Sequence, residues 1–548
     1  MKKLKKLIPK NFPLLCFFSV LFIFSYWLMF STFSYQDGNI VVASKAWSDF
    51  GSHIPLIRSF SFGWNFPPEY PLFANEPIHY HFLFYAFVGF LERIGIPLHI
   101  ALNIPSALLF FALLVMLYVF GKSLFKSKLV GVLSVLFFVC NGSFSFLYFI
   151  RDNPITIDSF YKIISSTSFL SFSPYYGDSL VSAFWNLNIY TNQRHLAAAF
   201  AFSLFVVYIF LKPILTSQNS KSISVTILLG VLLGCSFYFH LAAFGMTAIV
   251  IFILAVLFPV LRPSALLILL LASVIGFPQY RYMNQEGSVF SLLIKPGYLT
   301  PAPVTLSSFL NYWTLNLGLH TLLIPVGFLL APKKIKKIFI AFFAFFVIGN
   351  VFQFSPEMAA NHKFFNYFML IGGMFSGYTI YLLWIRNIIL KLLAIVLTLL
   401  LIMSGVMDFF PIYNDTKVTL GDYHNNPDIK WIMQNTPPDS VFINTSYFVP
   451  IESVAGRKIL FGWPYFAWSQ GYDTNARGQY IDAVLSARNA TEFCKIVKQQ
   501  KADFLRTTNP PDTGFPMINP NLLHTLTPVY KNSKSGVTIY DITQNCTQ

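Results

Sequence analysis

The sequence predicts a polytopic α-helical membrane protein with a small α/β domain at its C-terminal end. Hydrophobic residues make up 55% of the 548 positions, whereas charged residues make up only 11%. The mean hydropathy of +0.59 is too high for a soluble globule. Many apolar stretches also approach the roughly 20 residues that cross a bilayer.

The net charge of +16 lies mainly in short connections between the apolar stretches. This is the positive-inside pattern, so we assign these connections to the cytoplasm and expect contact with bilayer lipid rather than nucleic acid. The basic run Met1–Lys10 precedes an apolar stretch that has no Ala-x-Ala cleavage site. The sequence therefore predicts a retained signal anchor, a cytoplasmic N-terminus and a location in the plasma membrane.

About eleven membrane spans follow from these anchors. They are predicted at 12–34, 99–121, 129–149, 195–212, 224–240, 242–260, 264–280, 305–331, 338–353, 364–385 and 388–408. The apolar stretch 81–96 is expected to lie in the interface or to re-enter from the outer face, because a crossing there would reverse the charge pattern. Burying Glu92 and Arg93 at the bilayer centre would also be costly.

This topology divides the chain into a transmembrane domain, 1–408, and an extracytoplasmic α/β domain, 409–548. The tail alternates short helical and strand-like segments, which is typical of an α/β module. Cys494 and Cys546 both lie in it, and a disulfide between them is compatible with an oxidising compartment. The transmembrane domain carries two long outer loops, 35–98 and 150–194.

The first outer loop is the predicted site of chemistry. Asp49 and His53 lie four residues apart and share one face if the segment is helical. Asp49 is predicted to act as a general base for an acceptor hydroxyl or to ligate a divalent cation, and His53 to orient it or to bind a phosphate oxygen. A purely structural role for both residues, capping and solvating a loop helix, stays open. Asp37 ranks lower, since Gly38 and Asn39 beside it indicate a turn.

Four short motifs carry a resemblance to a known family. They are Asp49-x-x-x-His53, Gly63-x-Asn65-x-Pro67-Pro68, Pro77-x-His79-Tyr80-His81 and Asn103-Ile-Pro-Ser-Ala107. With the predicted span pattern and exported tail, they resemble the GT-C integral membrane glycosyltransferases. The resemblance implies transfer of a sugar from a polyprenyl-phosphate donor to a glycan, lipid or protein acceptor on the outer face. Ser48-Asp49-Phe50 stands where some branches have an adjacent Asp-Glu pair, so sugar, acceptor and metal dependence are not specified.

A lipid-phosphate leaving group needs cations at the outer interface to stabilise its charge. The predicted ligands are Arg58, Arg194, His362 and Lys363, of which the last two lie at the mouth of an apolar span. Secondary candidates for the site are Asp37, His79, His81, Arg151 and Asp152. A snorkelling interfacial lysine is the alternative for Lys363. His240 and His320, in apolar surroundings, are expected to bond neighbouring carbonyls.

Two other functions stay open. A transporter or flippase of lipid-linked sugars predicts charged or broken spans near the midplane and an inverted repeat, neither of which is clear in the sequence. A non-catalytic cell-envelope assembly protein fits the composition equally well. The concentration of acids, histidines and an arginine in the first loop favours the transferase.

Overall fold

Long apolar helices form most of the chain up to residue 413. The computed structural model describes residues 12–140, 142–169, 187–216, 222–284, 292–355, 361–509 and 515–547. The predicted basic N-terminal run lies outside the described residues, as does part of the second outer loop. The helices of this part are α1 Phe12–Thr32, α2 Trp47–Ser61, α3 Leu83–Arg93, α4 Leu98–Phe125, α5 Lys128–Val139, α6 Ser145–Asp152, α7 Ile157–Ile164, α8 Asn188–Asn192, α9 Arg194–Thr216, α10 Ile223–Cys235, α11 Leu241–Leu257, α12 Arg262–Met283, α13 Leu306–Leu317, α14 His320–Leu330, α15 Lys333–Val351, α16 His362–Trp384 and α17 Ile388–Tyr413.

Six helical segments of the described chain are long and apolar enough to cross a membrane. They comprise α1, α4, α9, α16, α17 and the segment Pro259–Met283, which contains α12. The bent pair α13 and α14 makes a seventh candidate, and α5, α10 and α11 are shorter apolar helices. The protein is therefore a multi-pass membrane protein, while the count of eleven spans stays a prediction.

Two predicted spans are broken, which corrects the sequence analysis. The stretch 305–331 consists of α13 and α14, which meet at an angle of 89°. Gly318 lies at the break with φ +54°, and a Cβ there would come within 2.0 Å of the Gly142 carbonyl oxygen. The close approach of a distant loop thus requires glycine at this corner. The stretch 129–149 likewise divides into α5 and α6.

The helix α3 has only 11 residues, so at 1.5 Å per residue it is about 16 Å long and too short to span. It packs against α2. This length agrees with the predicted interfacial or re-entrant position of 81–96.

The tail contains a five-stranded mixed sheet in the order β7-β6-β8-β10-β9. Its elements are α18 Pro427–Asn435, β6 Val441–Ile443, α19 Ile451–Val454, β7 Lys458–Ile459, α20 Pro464–Trp468, α21 Thr474–Leu485, α22 Ala490–Val497, β8 Phe504–Thr507, α23 Pro520–Thr525, β9 Pro528–Asn532, β10 Val537–Asp541 and α24 Ile542–Cys546. Strand β6 pairs in parallel with β7 and β8, and β10 pairs antiparallel with β8 and β9. Cys494 and Cys546 form a disulfide.

Short strands join the first loop to the end of the last span. They are β1 Phe33–Gln36, β2 Asn39–Ala43 and β5 Lys417–Gly421, which form one sheet in the order β1-β2-β5; a second small sheet pairs β3 Leu293–Ile294 with β4 Phe352–Gln353. One hydrophobic cluster contains residues of both the first loop and the tail, among them Phe50, Leu72 and Ile443. The first loop and the tail therefore share a core. The division of the chain at 408/409 into two domains stays a prediction.

Candidate active site

Helix α2 presents the predicted acid. It begins directly after β2 and the short 3₁₀ turn Ser44–Ala46, and Asp49 lies in its first turn, where the helix dipole favours a negative charge. A Cβ at Gly51 would come within 2.6 Å of the Phe448 ring. The absence of a side chain at this position therefore lets an aromatic ring of the tail lie directly against α2, one turn or less from Asp49.

Groups from two distant segments act on the Asp49 carboxyl. Burial raises its pKa to about 6, while the charge of Lys363 and a hydrogen bond with the Asn192 side chain oppose the rise. The carboxyl is therefore ionised at neutral pH, with a basicity well above that of an ordinary aspartate. A carboxylate of this strength is suited to accept a proton from a hydroxyl group.

Lys363 lies in the first turn of α16 and is 9% exposed. Its Nζ donates to the Tyr80 hydroxyl at 3.2 Å and lies 5.4 Å from the centroid of the Tyr80 ring. The preceding residue, His362, bonds through Nδ1 to the side-chain amide of Asn366 at 3.2 Å. Because the charge of Lys363 acts on the Asp49 carboxyl, the two residues lie near each other, while their site roles stay predictions.

His53 belongs to a buried chain of hydrogen bonds. The Tyr85 hydroxyl lies 2.9 Å from His53 Nε2 and 2.7 Å from His195 Nδ1. Burial, together with the charge of Arg194, lowers the pKa of His53 to about 3. The ring is therefore neutral, and it acts on its surroundings through hydrogen bonds rather than through charge.

Three buried histidines form a cluster that the sequence analysis did not predict. Ligand atoms of His81, His195 and His240 all lie within 4.8 Å of one another. Of these, only His81 was a site candidate. His240 departs from its expected carbonyl contact, because its Nδ1 accepts a hydrogen bond from the Ala243 backbone N–H at 3.2 Å. His195 was overlooked beside Arg194, although histidine at the start of an apolar helix was a usable signal.

Arg58 lies in an ion-pair network rather than beside Asp49. Its guanidinium is 2.6 Å from an oxygen of Asp422 and 3.4 Å from one of Glu92, and the arginine is 1% exposed. The Tyr35 hydroxyl donates to the same Asp422 oxygen at 3.0 Å. This geometry favours a structural role for Arg58 over its predicted contact with a donor phosphate.

The guanidinium nitrogens of Arg194 donate hydrogen bonds to oxygen atoms of the protein. Its guanidinium donates to the Thr191 carbonyl at 2.7 Å, to Asn103 Oδ1 at 3.0 Å and to Thr32 Oγ1 at 2.9 Å. These bonds join the ends of α1, α4 and α9. They favour a structural role here too, in place of the predicted phosphate contact.

The secondary candidates lie in separate environments. Asp37 occupies the β1–β2 turn with φ 47°, as its sequence context predicted. The His79 ring stacks on Tyr472 with centroids 4.1 Å apart, and burial lowers its pKa to about 4. Arg151 and Asp152 pair with each other at 2.7 Å on the exposed surface. Their predicted site roles stay predictions.

A divalent cation at Asp49 has little support from the residues around it. Among the described residues, three potential metal ligands come together in the histidine cluster, and Asp49 does not belong to this cluster. The positive charge of Lys363 also acts on the Asp49 carboxyl. Metal dependence therefore stays a prediction, and we derive no chemical step through a metal.

Comparison with known proteins identifies the fold. No family model matches the sequence, and no curated protein is significantly similar to it. Among solved structures, ArnT from Cupriavidus metallidurans is 10% identical with a TM-score of 0.52, and the match covers 97% of this chain and 98% of that one. Arabinofuranosyltransferase AftD from Mycobacteria is 12% identical with a TM-score of 0.51, over 96% of this chain and 40% of AftD. The chain therefore has the fold of the GT-C membrane glycosyltransferases.

Proposed function

We propose that this protein is a membrane glycosyltransferase that moves a sugar from a polyprenyl-phosphate donor to a hydroxyl group of an acceptor. The observation that carries the proposal is the pair Asp49 and Lys363. A carboxylate whose pKa is raised to about 6 lies within electrostatic reach of a lysine at the start of an apolar helix. Perturbed groups of opposite charge in one buried site are typical of catalytic centres.

The geometry supports a direct displacement. The Asp49 carboxylate accepts the proton of the acceptor hydroxyl while that oxygen forms a bond to the anomeric carbon of the sugar. The bond between the anomeric carbon and the phosphate oxygen breaks, and its electron pair stays on the departing polyprenyl phosphate. The Lys363 ammonium stabilises the negative charge that develops on this leaving group.

Transfer on the outer face is part of the proposal. The positive-inside pattern assigns the first loop and the tail to that side. The Cys494–Cys546 disulfide agrees with an oxidising compartment. Phe364 follows Lys363 directly and is half-buried, so a phosphate at the lysine has a partly exposed apolar side chain next to it for a polyprenyl tail.

A transporter or an assembly protein accounts less well for this pair. Burying a carboxylate and a lysine together is costly unless they are fully paired and bonded. Here the lysine donates to a tyrosine, and the carboxyl keeps a raised pKa. Such an arrangement is favourable when a substrate completes it, which is the situation in an enzyme.

The test is transfer by the purified protein in nanodiscs, with a panel of polyprenyl-phosphate sugars and with glycan, lipid and peptide acceptors. We expect Asp49→Asn to lower the transfer rate by about 10² to 10⁴, the usual contribution of a positioned base. Asp152→Asn, which changes an exposed acid, serves as the matched control. Full activity of Asp49→Asn would remove the proposed base, and hydrolysis or transport without transfer would overturn the function.

A further inference from the structure

The histidine cluster presents three ring nitrogens that the protein itself does not use. The Nε2 atoms of His81, His195 and His240 are buried and have no hydrogen-bond partner among the described residues. The three residues are 3%, 0% and 1% exposed. A buried polar atom without a partner costs about 1–3 kcal/mol. Three of them in one place therefore indicate that a ligand completes the site.

Helix starts surround the cluster. His195 is the second residue of α9, which has 23 residues, and His240 is the N-cap of α11, which has 17. Lys363 is the second residue of α16, and its charge acts on all three rings. The N-terminal ends of helices carry partial positive charge and favour anions. The surroundings therefore favour an anionic ligand.

The hydrogen bond of His240 identifies its free nitrogen as a donor. Because Nδ1 accepts from the Ala243 N–H, the proton of the neutral ring lies on Nε2. A nitrogen that carries a proton binds an oxygen acceptor and does not ligate a metal ion. The Nε2–H group of His240 therefore needs a hydrogen-bond acceptor as its partner.

The stacking of two histidine rings independently favours an oxygen acceptor over a metal ion as the ligand. The rings of His81 and His240 lie 4.2 Å apart and nearly parallel, at 17°. A metal ion lies close to the plane of each imidazole that binds it, and stacked parallel rings do not share such a point. Two oxygens of one phosphate group, by contrast, each take one of two N–H groups that lie side by side.

We propose that His81, His195 and His240 form a phosphate-binding subsite, which holds the phosphate group of the lipid-linked donor through their Nε2 atoms. The inference rests on the proposed function and adds to it the residues that recognise the leaving group. Lys363 supplies the charge at the same phosphate, and the histidines supply directed hydrogen bonds. The subsite takes the role predicted for Arg58, which is ion-paired with Asp422, and for Arg194, whose guanidinium donates to Asn103.

The experiment measures binding of farnesyl phosphate, without any sugar, to the full-length protein in nanodiscs by calorimetry. His240→Asn keeps a side chain that caps helices well and removes Nε2, and His81→Asn is the second variant. A lost hydrogen bond to a charged group corresponds to roughly tenfold to hundredfold weaker binding. We expect a loss of this size in each variant, with farnesol too weak to compete in wild type.

His320→Asn is the matched control. His320 is 1% exposed, bonds Ser376 through Nδ1 at 2.8 Å and also has a buried Nε2 without a partner among the described residues, but it lies outside the cluster. We expect its affinity for farnesyl phosphate to equal that of wild type. An equal loss in His320→Asn would mean that the effect is general and would overturn the subsite.

Other outcomes separate this subsite from the alternatives. Unchanged farnesyl phosphate binding in both cluster variants overturns it. Stoichiometric Zn²⁺ binding that His240→Asn abolishes, with farnesyl phosphate affinity unaffected, would identify a metal site instead. If inorganic phosphate binds as tightly as farnesyl phosphate, the lipid tail contributes nothing to binding, and the proposal that the phosphate belongs to a lipid is overturned. Because the assay needs no sugar transfer, cluster-dependent binding in a protein that transfers no sugar would refute the proposed function alone.

Discussion

The two ends of helix α2 hold charges in different states. Near the C-terminal end, Arg58 has two carboxylates at 2.6 and 3.4 Å, and Tyr35 donates to the nearer one. At the N-terminal end, Asp49 lies within reach of Lys363, whose ammonium donates to Tyr80 instead. Opposite charges in a close ion pair hold segments together, whereas charges without a close ion-pair partner remain available for a substrate.

The largest expected effect concerns the paired end. Removing one partner of a buried ion pair costs about 3–5 kcal/mol because the other charge is left uncompensated. We therefore expect Arg58→Ala to lower the free energy of unfolding by about this amount, measured by thermal unfolding in detergent. Arg151→Ala, which breaks the exposed pair with Asp152, should change it by less than about 1 kcal/mol. If Arg58→Ala folds normally and loses only donor affinity, Arg58 has no structural role, and the result supports the prediction that it binds the donor phosphate.

A smaller effect is expected at the incompletely paired end. Lys363→Ala should weaken use of a polyprenyl-phosphate donor by roughly tenfold to hundredfold, because one charge-assisted contact is lost. Lys363→Arg should keep part of the activity, since the charge survives in a different geometry. The measurement is the donor dependence of transfer, with acceptor affinity as an internal reference. Lys162→Ala, at an exposed lysine, is the control, and an equal loss there would contradict a specific role for Lys363.

The pH dependence sharpens the same comparison. The carboxylate is the active form of Asp49, and its pKa is raised to about 6, so activity should be retained above pH 6. It should fall about tenfold per pH unit below that value, as expected for a single essential base. Since Lys363 opposes the rise in this pKa, Lys363→Ala should move the acid limb of kcat/KM to higher pH. An acid limb that stays near pH 4 in both proteins would contradict the burial of Asp49.

Features that depend on neighbouring residues in the sequence, such as apolar helices, could be predicted from local patterns. Hydropathy located the apolar helices, and residue type with position indicated Asp49 and Lys363. The pairing of Arg58 with Asp422 joins residues 364 positions apart, which no local pattern reveals. An arginine that binds phosphate and one that binds a distant aspartate have the same appearance in a sequence.

The breaks in predicted spans have the same origin. The stretch 305–331 is mainly apolar and was predicted as one span, but it turns a corner at Gly318, where the backbone of Gly142 approaches too closely for a side chain. The histidine cluster likewise combines the starts of two helices with a loop residue, His81. In the sequence His81 was a secondary candidate, His240 resembled a satisfied buried residue and His195 was overlooked, so only their proximity indicates a common site.

The contact between Arg58 and Asp422 also determines when, during synthesis, helix α2 can take up its final position. The partner of Arg58 is synthesised 364 residues after it, which takes about 20 to 70 s at ordinary rates of elongation. Until then the arginine has no Asp422 to hold helix α2, and the strand β5 that pairs with β2 does not yet exist. The helix that carries Asp49 therefore reaches its final position only after the last apolar helix has been made. A partly synthesised chain therefore remains without an assembled site.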